Sequence, residues 1–398
     1  MRHWTILPRV ALALLAACAR PDNRPPLADR ADSAGIEVVT NRGPDQPLAL
    51  TFTPRLTLGG KDEGPESFFR VVHGSVAIDG SGTIHVLDFE AKTIAVFDSS
   101  GKFIRILGGP GDGPGELGFP NTVRTTDDGA VSVFDFSKGA VVRWGPKGSV
   151  LPSTRIKEAT PPQDIAFAAD GIVYSSTSFA NEANVERTVL QLERADSVET
   201  LAGVERPPPS LLEFKGGCDI KIGLPPLFTP DIAWETNGRR IAWASKVDYE
   251  IAVRDSGGRR SLIRRDVAPR EATLDVARLE VGDSMRVRAG TVRCAVGPEE
   301  VARVRGFAPL IPAIRTVMVA PDGSLWVHRT TPPADPAVID LFAVAGDYRG
   351  TLPAGSPVPL AFFPNGDIAA VQKDKESEVE KLVVYRVGGD ASGRRGGR

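Results

Sequence analysis

Hydrophobic and polar positions along this chain alternate in short runs, and the runs come in pairs around a glycine. Each pair reads as a strand rich in β-branched and aromatic residues, a tight turn, and a second strand. The pattern occurs in SVAIDGSGTIHVLDF (75–89), NTVRTTDDGAVSVFDF (121–136), DIAFAADGIVYSS (164–176), DIAWETNGRRIAWAS (231–245), RTVMVAPDGSLWVHR (315–329) and PLAFFPNGDIAAVQ (359–372). Gly82, Gly129, Gly171, Gly238, Gly323 and Gly366 take the turn position that needs a positive φ. A second hairpin follows several of these pairs, as in TIAVFDSSGKFIRIL (93–107), AVVRWGPKGSVLP (140–152) and EIAVRDSGGRRSLI (250–263).

Two hairpins per unit make a four-stranded antiparallel sheet. A four-stranded unit repeated every ~40–50 residues is the signature of propeller blades. The expected fold is therefore all-β: a six-bladed β-propeller over residues 35–387. The strand GIEVVTNR (35–42) is expected to complete the last blade, whose own stretch (359–387) is short of a strand. Closing the ring in this way removes free sheet edges. The glycine-rich stretch LGGPGDGPGELGFP (107–120) matches LGGKDEGP (58–65) in its first half. A phosphate-binding loop would open a helix and carry Lys-Ser/Thr at a fixed place. This one runs through Phe119-Pro120 into a strand, so it is expected to be a connector between blades.

Two intervals between units are long. ERPPPSLLEFKGGCDIKIGLPPLFTP (205–230) separates blades 3 and 4, and residues 268–313 separate blades 4 and 5. In the second, Pro298-Glu299-Glu300 predicts a short helix, with Pro at the first position, acids in the first turn, and Val301, Val304 and Phe307 as its apolar face. Insertions on a repeat scaffold either form a binding face or cover an apolar end of the ring; both remain open at this point.

Composition narrows the function classes. Of 398 residues, 41 are Gly and 33 Pro, which suits many turns and few long helices. The net charge of −2 supplies no global field to attract nucleic acid, and no nucleic-acid partner is expected. Arg254, Arg259, Arg260, Arg264 and Arg265 gather on the outer hairpin of blade 4 and read as a solvated edge that resists sheet-to-sheet pairing.

The N-terminus, MRHWTILPRVALALLAACAR, has Arg2 and Arg9 before an apolar run, Val10–Ala17, that is too short to span a bilayer and suits an export signal. Its end, Leu15-Ala16-Ala17-Cys18, resembles a bacterial lipobox, which implies a signal peptide over 1–17 and diacylation of Cys18. Acyl chains would then hold the chain on a lipid bilayer. Ala19 in place of an acid implies, by the same resemblance, the outer membrane, facing the periplasm or the cell surface. Residues 18–34 read as a disordered tether reaching about 20 Å as a coil, and 388–398 as a disordered tail. An exported chain with two remaining cysteines, Cys218 and Cys294, invites one disulfide; two buried thiols are the alternative.

Candidate chemistry is sparse. His85 and His328 sit on strands beside the turns and are candidates to line the channel; hydrogen-bonded structure is the bland alternative. Asp88-Phe89 and Asp135-Phe136 recur, and Asp88 and Asp135 are either turn caps or part of a carboxylate ring facing a ligand. No histidine pair, cysteine cluster or Gly-x-Ser-x-Gly elbow is present, so no catalytic residue, no metal ligand and no cofactor is assigned. Calcium bound by carbonyls and Asp would leave little trace in a sequence.

The blade text VAIDGSGTIHVLDFEAKTIAVFDSSGKFIRILG (76–108), with its Gly-Pro-Gly-Glu connector, resembles NHL-like six-bladed propellers of bacterial lipoproteins over residues 57–150 and 309–329, and only loosely between. Trp-Asp strand ends of WD40 blades, and the Tyr and Trp that follow Gly-Gly in kelch blades, are missing. The expectation is a membrane-tethered, monomeric module that binds a protein or a small ligand on its loop face. The alternative is a propeller hydrolase or lyase with a metal at the central channel.

Overall fold

Strands Val76–Ile78, Ile84–Asp88, Thr93–Phe97 and Phe103–Gly108 hydrogen-bond in that order into one antiparallel sheet. The computed structural model describes residues 28–60, 64–68, 71–156, 162–180, 185–333, 335–373 and 380–389, and in it this unit recurs around a ring. From the innermost strand outward, blade 2 is Pro120–Thr125, Val131–Asp135, Ala140–Trp144 and Val150–Arg155. Blade 3 is Asp164–Ala168, Gly171–Ala180, Val185–Glu193 and Val198–Arg206. Blade 4 is Ala233–Thr236, Arg240–Ala244, Glu250–Asp255 and Arg260–Arg265, and blade 5 is Ile314–Val319, Leu325–Arg329, Ile339–Phe342 and Tyr348–Thr351. Blade 6 comprises Ala361–Phe362, Ile368–Lys373, Glu380–Gly388 and, outermost, Thr51–Gly59 from the other end of the chain. The protein is a six-bladed β-propeller.

The burial pattern explains why these segments repeat. Each blade buries both faces against its neighbours, so middle strands such as Ile84–Asp88 and Val131–Asp135 are buried at every position. Leu87, Ile94, Val123 and Val133 form the core between blades 1 and 2. Ile251, Val253, Val317 and Val327 do the same between blades 4 and 5, and Ile84, Val86, Ala369 and Val384 between blades 6 and 1. One such blade has no separate core, so the ring folds as a set.

Ring closure differs from the sequence expectation. The strand that completes blade 6 is Thr51–Gly59, antiparallel to Glu380–Gly388, with Leu58 opposite Leu382. Pro54 disguises it, but a proline is tolerated on an outermost strand, where its missing N–H would face solvent. GIEVVTNR instead supplies Ile36–Asn41, which lies parallel to Arg260–Arg265 on the outer edge of blade 4, and buries Val39. The edge-guarding role expected of the blade 4 arginines therefore fails, because Ile36–Asn41 covers that edge. Each arginine has a specific partner instead: Arg254 pairs with Asp170 at 2.8 Å, Arg264 with Glu250 at 2.7 Å, and Arg265 with Asp340 at 3.1 Å, while Arg259 meets Glu37 and Arg260 meets Glu199.

The expected tether also ends earlier than residue 34. Ala28–Ser33 forms a sixth strand, antiparallel to Ile36–Asn41, because the Ala34-Gly35 turn takes positive φ values of 54° and 82°. The expected signal peptide, Cys18, the tether up to residue 27 and the tail from residue 390 lie outside the described residues. A second N-terminal stretch seals blade 5: Thr351 N donates to Gln46 O and Leu48 N donates to Thr351 O. Nearby, Asp340 is fully buried and accepts from Tyr249, Arg265, Arg329 and Thr351, while Asp45 joins the same two arginines.

The turn glycines behave as the pattern requires, with one exception. Gly82, Gly129, Gly238, Gly323 and Gly366 have φ between 82° and 87°. Gly171 does not; a Cβ there would stand 2.2 Å from the Glu193 carbonyl oxygen, so close approach selects glycine.

Candidate functional site at the capped mouth of the channel

The ring has two unlike ends. At one, short turns join first to second and third to fourth strands. At the other, the outermost strand of each blade hands the chain to the innermost strand of the next; this is the crossover end. LGGPGDGPGELGFP is such a crossover, as expected, and its backbone is already occupied. Asp135 accepts from Gly118 N and Phe119 N, Glu116 accepts from Gly113 N, and Lys138 Nζ donates to the carbonyls of Gly113 and Glu116.

Both long insertions rise from the crossover end, one on each flank of blade 4. The first forms a hairpin, Ser210–Phe214 with Ile220–Leu224. The second forms helix α1 (Leu274–Val281), a hairpin Met285–Ala289 with Val292–Val296, and helix α2 (Pro298–Arg305). Helix α2 was legible from its Pro and acids; Ala302 joins Val301 on its buried face, while Val304 is 38% exposed. Helix α1 was not foreseen, although Thr273 caps it by accepting from Val276 N, and Leu274, Ala277 and Val281 recur on one face.

The two insertions fold together into a cap. Leu212, Phe214, Val296 and Val301 share a small core, and Leu227, Ala277 and Ala302 form a second. Cys218 and Cys294 are joined, with their Cα atoms 6.3 Å apart. Two-stranded hairpins are marginal alone, so the cross-link and these small cores hold the cap. It is also fastened to the ring: Glu280 of α1 pairs with Arg315 of the innermost strand of blade 5 at 3.0 Å.

Beside the cap, polar side chains of the innermost strands converge. Arg124 of blade 2 lies 3.3 Å from Asp164 of blade 3 and 3.8 Å from Glu235 of blade 4, and its Nε donates to Ile165 O. Thr122 donates to Asp164 at 2.8 Å. Burial opposes the charge of Arg124, but Glu235 and Asp164 outweigh it and raise its pKa. His73, from the segment leading into blade 1, reaches Glu235 at 3.3 Å. Blades 1 and 4 are diametrically opposite, so this contact crosses the channel. Arg124, Asp164, Glu235, Arg315 and Glu280 escaped the sequence reading. The only signal was a charged residue on the inner strands of blades 2 to 5, which solvated turns imitate.

The residues that the sequence nominated do not meet. His85 and His328 stand on second strands, one strand removed from the channel, so neither lines it. His85 faces a cleft of about 60 Å³ between blades 1 and 2, beside Asp79 and Arg105, and its Nδ1 has no partner. Burial pushes its pKa down to about 4. His328 is also held at about 4, by burial and by Arg315, and its Nε2 is unpartnered. Asp88 and Asp135 cap the turns after their strands: Asp88 Oδ1 accepts from Glu90 N and Ala91 N, and Asp135 Oδ1 accepts from Ser137 N and Lys138 N. Burial alone would raise the Asp135 carboxyl, but Ser137 and the backbone donors hold it below the usual range. Among the described residues, no three His, Cys, Asp or Glu side chains are grouped to hold a metal ion, and no helix is long and apolar enough to cross a membrane.

Residues 74–194 match the DUF5128 family model, described as a 6-bladed beta-propeller. No curated protein sequence matches the chain. Among solved structures, the chain is similar to a Bacteroides fragilis protein named as exported: 12% identity, 88% of this chain, 100% of that one, TM-score 0.48. It is similar to a duf4221 family member from Bacteroides vulgatus, at 8% identity over 86% and 99% of the two chains, TM-score 0.47. It is also similar to the calcium-binding protein regucalcin from Agrobacterium tumefaciens, at 10% identity over 85% and 94%, TM-score 0.38.

Proposed function

We propose that this protein is an exported, lipid-anchored propeller of the NHL-like kind that binds a partner at its crossover end and carries out no catalysis. One observation carries the reading. Two insertions from the two flanks of blade 4 are cross-linked into a cap, and the cap is ion-paired to an inner strand at the channel mouth. The channel beneath is spanned by satisfied ion pairs, which suits a rigid support better than a reaction chamber. Exposed apolar side chains stand at this end as well: Leu211 of the cap is 60% exposed, and Phe119 (63%) packs edge-on against Phe136 in the turn between the second and third strands of blade 2. Apolar groups left in solvent on a rigid surface are what a partner desolvates.

A photo-crosslinker placed in the native host at Leu211, or at Leu310 (39% exposed, on the last short strand of the second insertion), and for comparison at Arg239 on the opposite end, tests this. Adducts from the cap positions alone support the reading. Adducts from Arg239 alone, or from no position, contradict it.

A further inference from the structure

We infer that the partner of the capped end is the bilayer itself, through the phosphates of anionic headgroups, which are met by the arginines of the Met285–Val296 hairpin; this rests on the tethered reading above. Its inward face is Met285, Val287 and Cys294, packed in the cap core. The opposite face presents Arg286, Arg288 and Arg293, all exposed. Arg288 and Arg293 are direct cross-strand partners. Such pairs sit about 5 Å apart, and like charges there are destabilising.

No carboxylate relieves this repulsion. Among the described residues, Arg286 and Arg293 make no side-chain hydrogen bond or ion pair, and Arg288 Nε donates only to Gly290 O. Six arginines elsewhere are matched by contrast: Arg30, Arg55, Arg194, Arg254, Arg265 and Arg329 each hold a carboxylate within 3.1 Å. The hairpin is thus a rigid, cross-linked display of unneutralised guanidinium groups, complementary to phosphate.

The path of the chain says which phosphates. Ala28 is opposite Asn41, and Asn41 is opposite Arg265. Residue 266 begins the insertion that carries the hairpin, so the segment before Ala28 leaves the ring at the capped end. Nine residues, 19–27, lie between an anchored Cys18 and Ala28, and the ten steps from one to the other reach about 35 Å when fully extended. A bilayer holding Cys18 is therefore kept within reach of the capped end.

The chain from residue 19 onward keeps every described element and lacks the acylated cysteine. Mixed with phosphatidylcholine vesicles containing about 30% phosphatidylglycerol, it is expected to float with them at low salt, and not with phosphatidylcholine alone. Arg286→Gln, Arg288→Gln and Arg293→Gln together should weaken this about 100-fold, at about 1 kcal/mol per arginine near an anionic surface, without lowering the melting temperature. Arg239→Gln, at the opposite end, should change nothing. Flotation unaffected by the triple substitution overturns the inference. So does protein that ignores anionic vesicles but binds poly-glutamate, since the surface would then serve an acidic protein. Fatty-acid labelling of the whole chain tests the anchor separately: absent label with intact flotation removes the tether and leaves the headgroup surface standing.

Discussion

Glu235 on the innermost strand of blade 4 lies 3.3 Å from His73, which leads into blade 1 across the ring. The same carboxylate is 3.8 Å from the buried Arg124. Glu235→Ala should leave Arg124 with Asp164 as its one remaining counter-charge and cost about 1–3 kcal/mol. Urea unfolding reads this directly; an unchanged midpoint would show that the channel bridge contributes nothing.

Acid should weaken the fold before its carboxylates titrate. His85 and His328 have folded pKa values of about 4, against 6.5 when unfolded. Between those values the unfolded chain takes up protons that the folded chain refuses, so stability falls as pH drops from 6.5 to 4. For His85 the loss approaches about 3 kcal/mol, and for the half-buried His328 it is smaller. His85→Phe, filling the cleft beside it, should flatten the pH profile; a variant with the parent's profile would assign the acid sensitivity elsewhere.

Asp135 caps its own turn and also accepts from Gly118 N and Phe119 N of the crossover. Asp135→Ala should therefore cost about 2–3 kcal/mol, because it strands buried donors. Ser137→Ala, which removes only a hydroxyl donor to the same carboxylate, should cost about 1 kcal/mol or less. Equal losses would mean that the crossover clamp is not what Asp135 supplies.

Cys218 and Cys294 are 76 positions apart, and a cross-link over that length is worth about 4 kcal/mol in the chain-entropy account. Replacing both with Ser should loosen the cap and leave the wheel. Hydrogen exchange should quicken over 210–224 and 285–305 while the blade strands keep their protection. Uniform loss of protection would show that ring and cap unfold as one unit.

The repeat was legible because a blade is a local pattern: alternating strands, an Asp/Asn-Gly turn, and a spacing set by four strands. The crossover role of 107–120 followed from what flanks it. Ring closure was not legible locally. Thr51–Gly59 and Ile36–Asn41 both look like strands, and which blade takes which depends on contacts hundreds of residues away, with Pro54 pointing the wrong way. The channel cluster was hidden for the same reason. Arg124, Asp164 and Glu235 sit in three different blades, and nothing in any one hairpin reports that they meet. His85 and His328 drew notice as rare residues, yet strand position, which a hairpin pattern does give, places them off the channel.

The central claim is that the capped crossover end, and not the turn end, is covered in the native envelope. Amine acylation with a membrane-impermeant reagent tests it, comparing isolated native membranes with purified protein. Lys215 and Lys221 lie on the cap hairpin, and Lys102 and Lys147 in turns at the opposite end. Lys215 and Lys221 should be shielded in membranes and reactive in purified protein, while Lys102 and Lys147 react alike in both. Equal labelling of all four in membranes, or shielding of Lys102 and Lys147 instead, would contradict the claim.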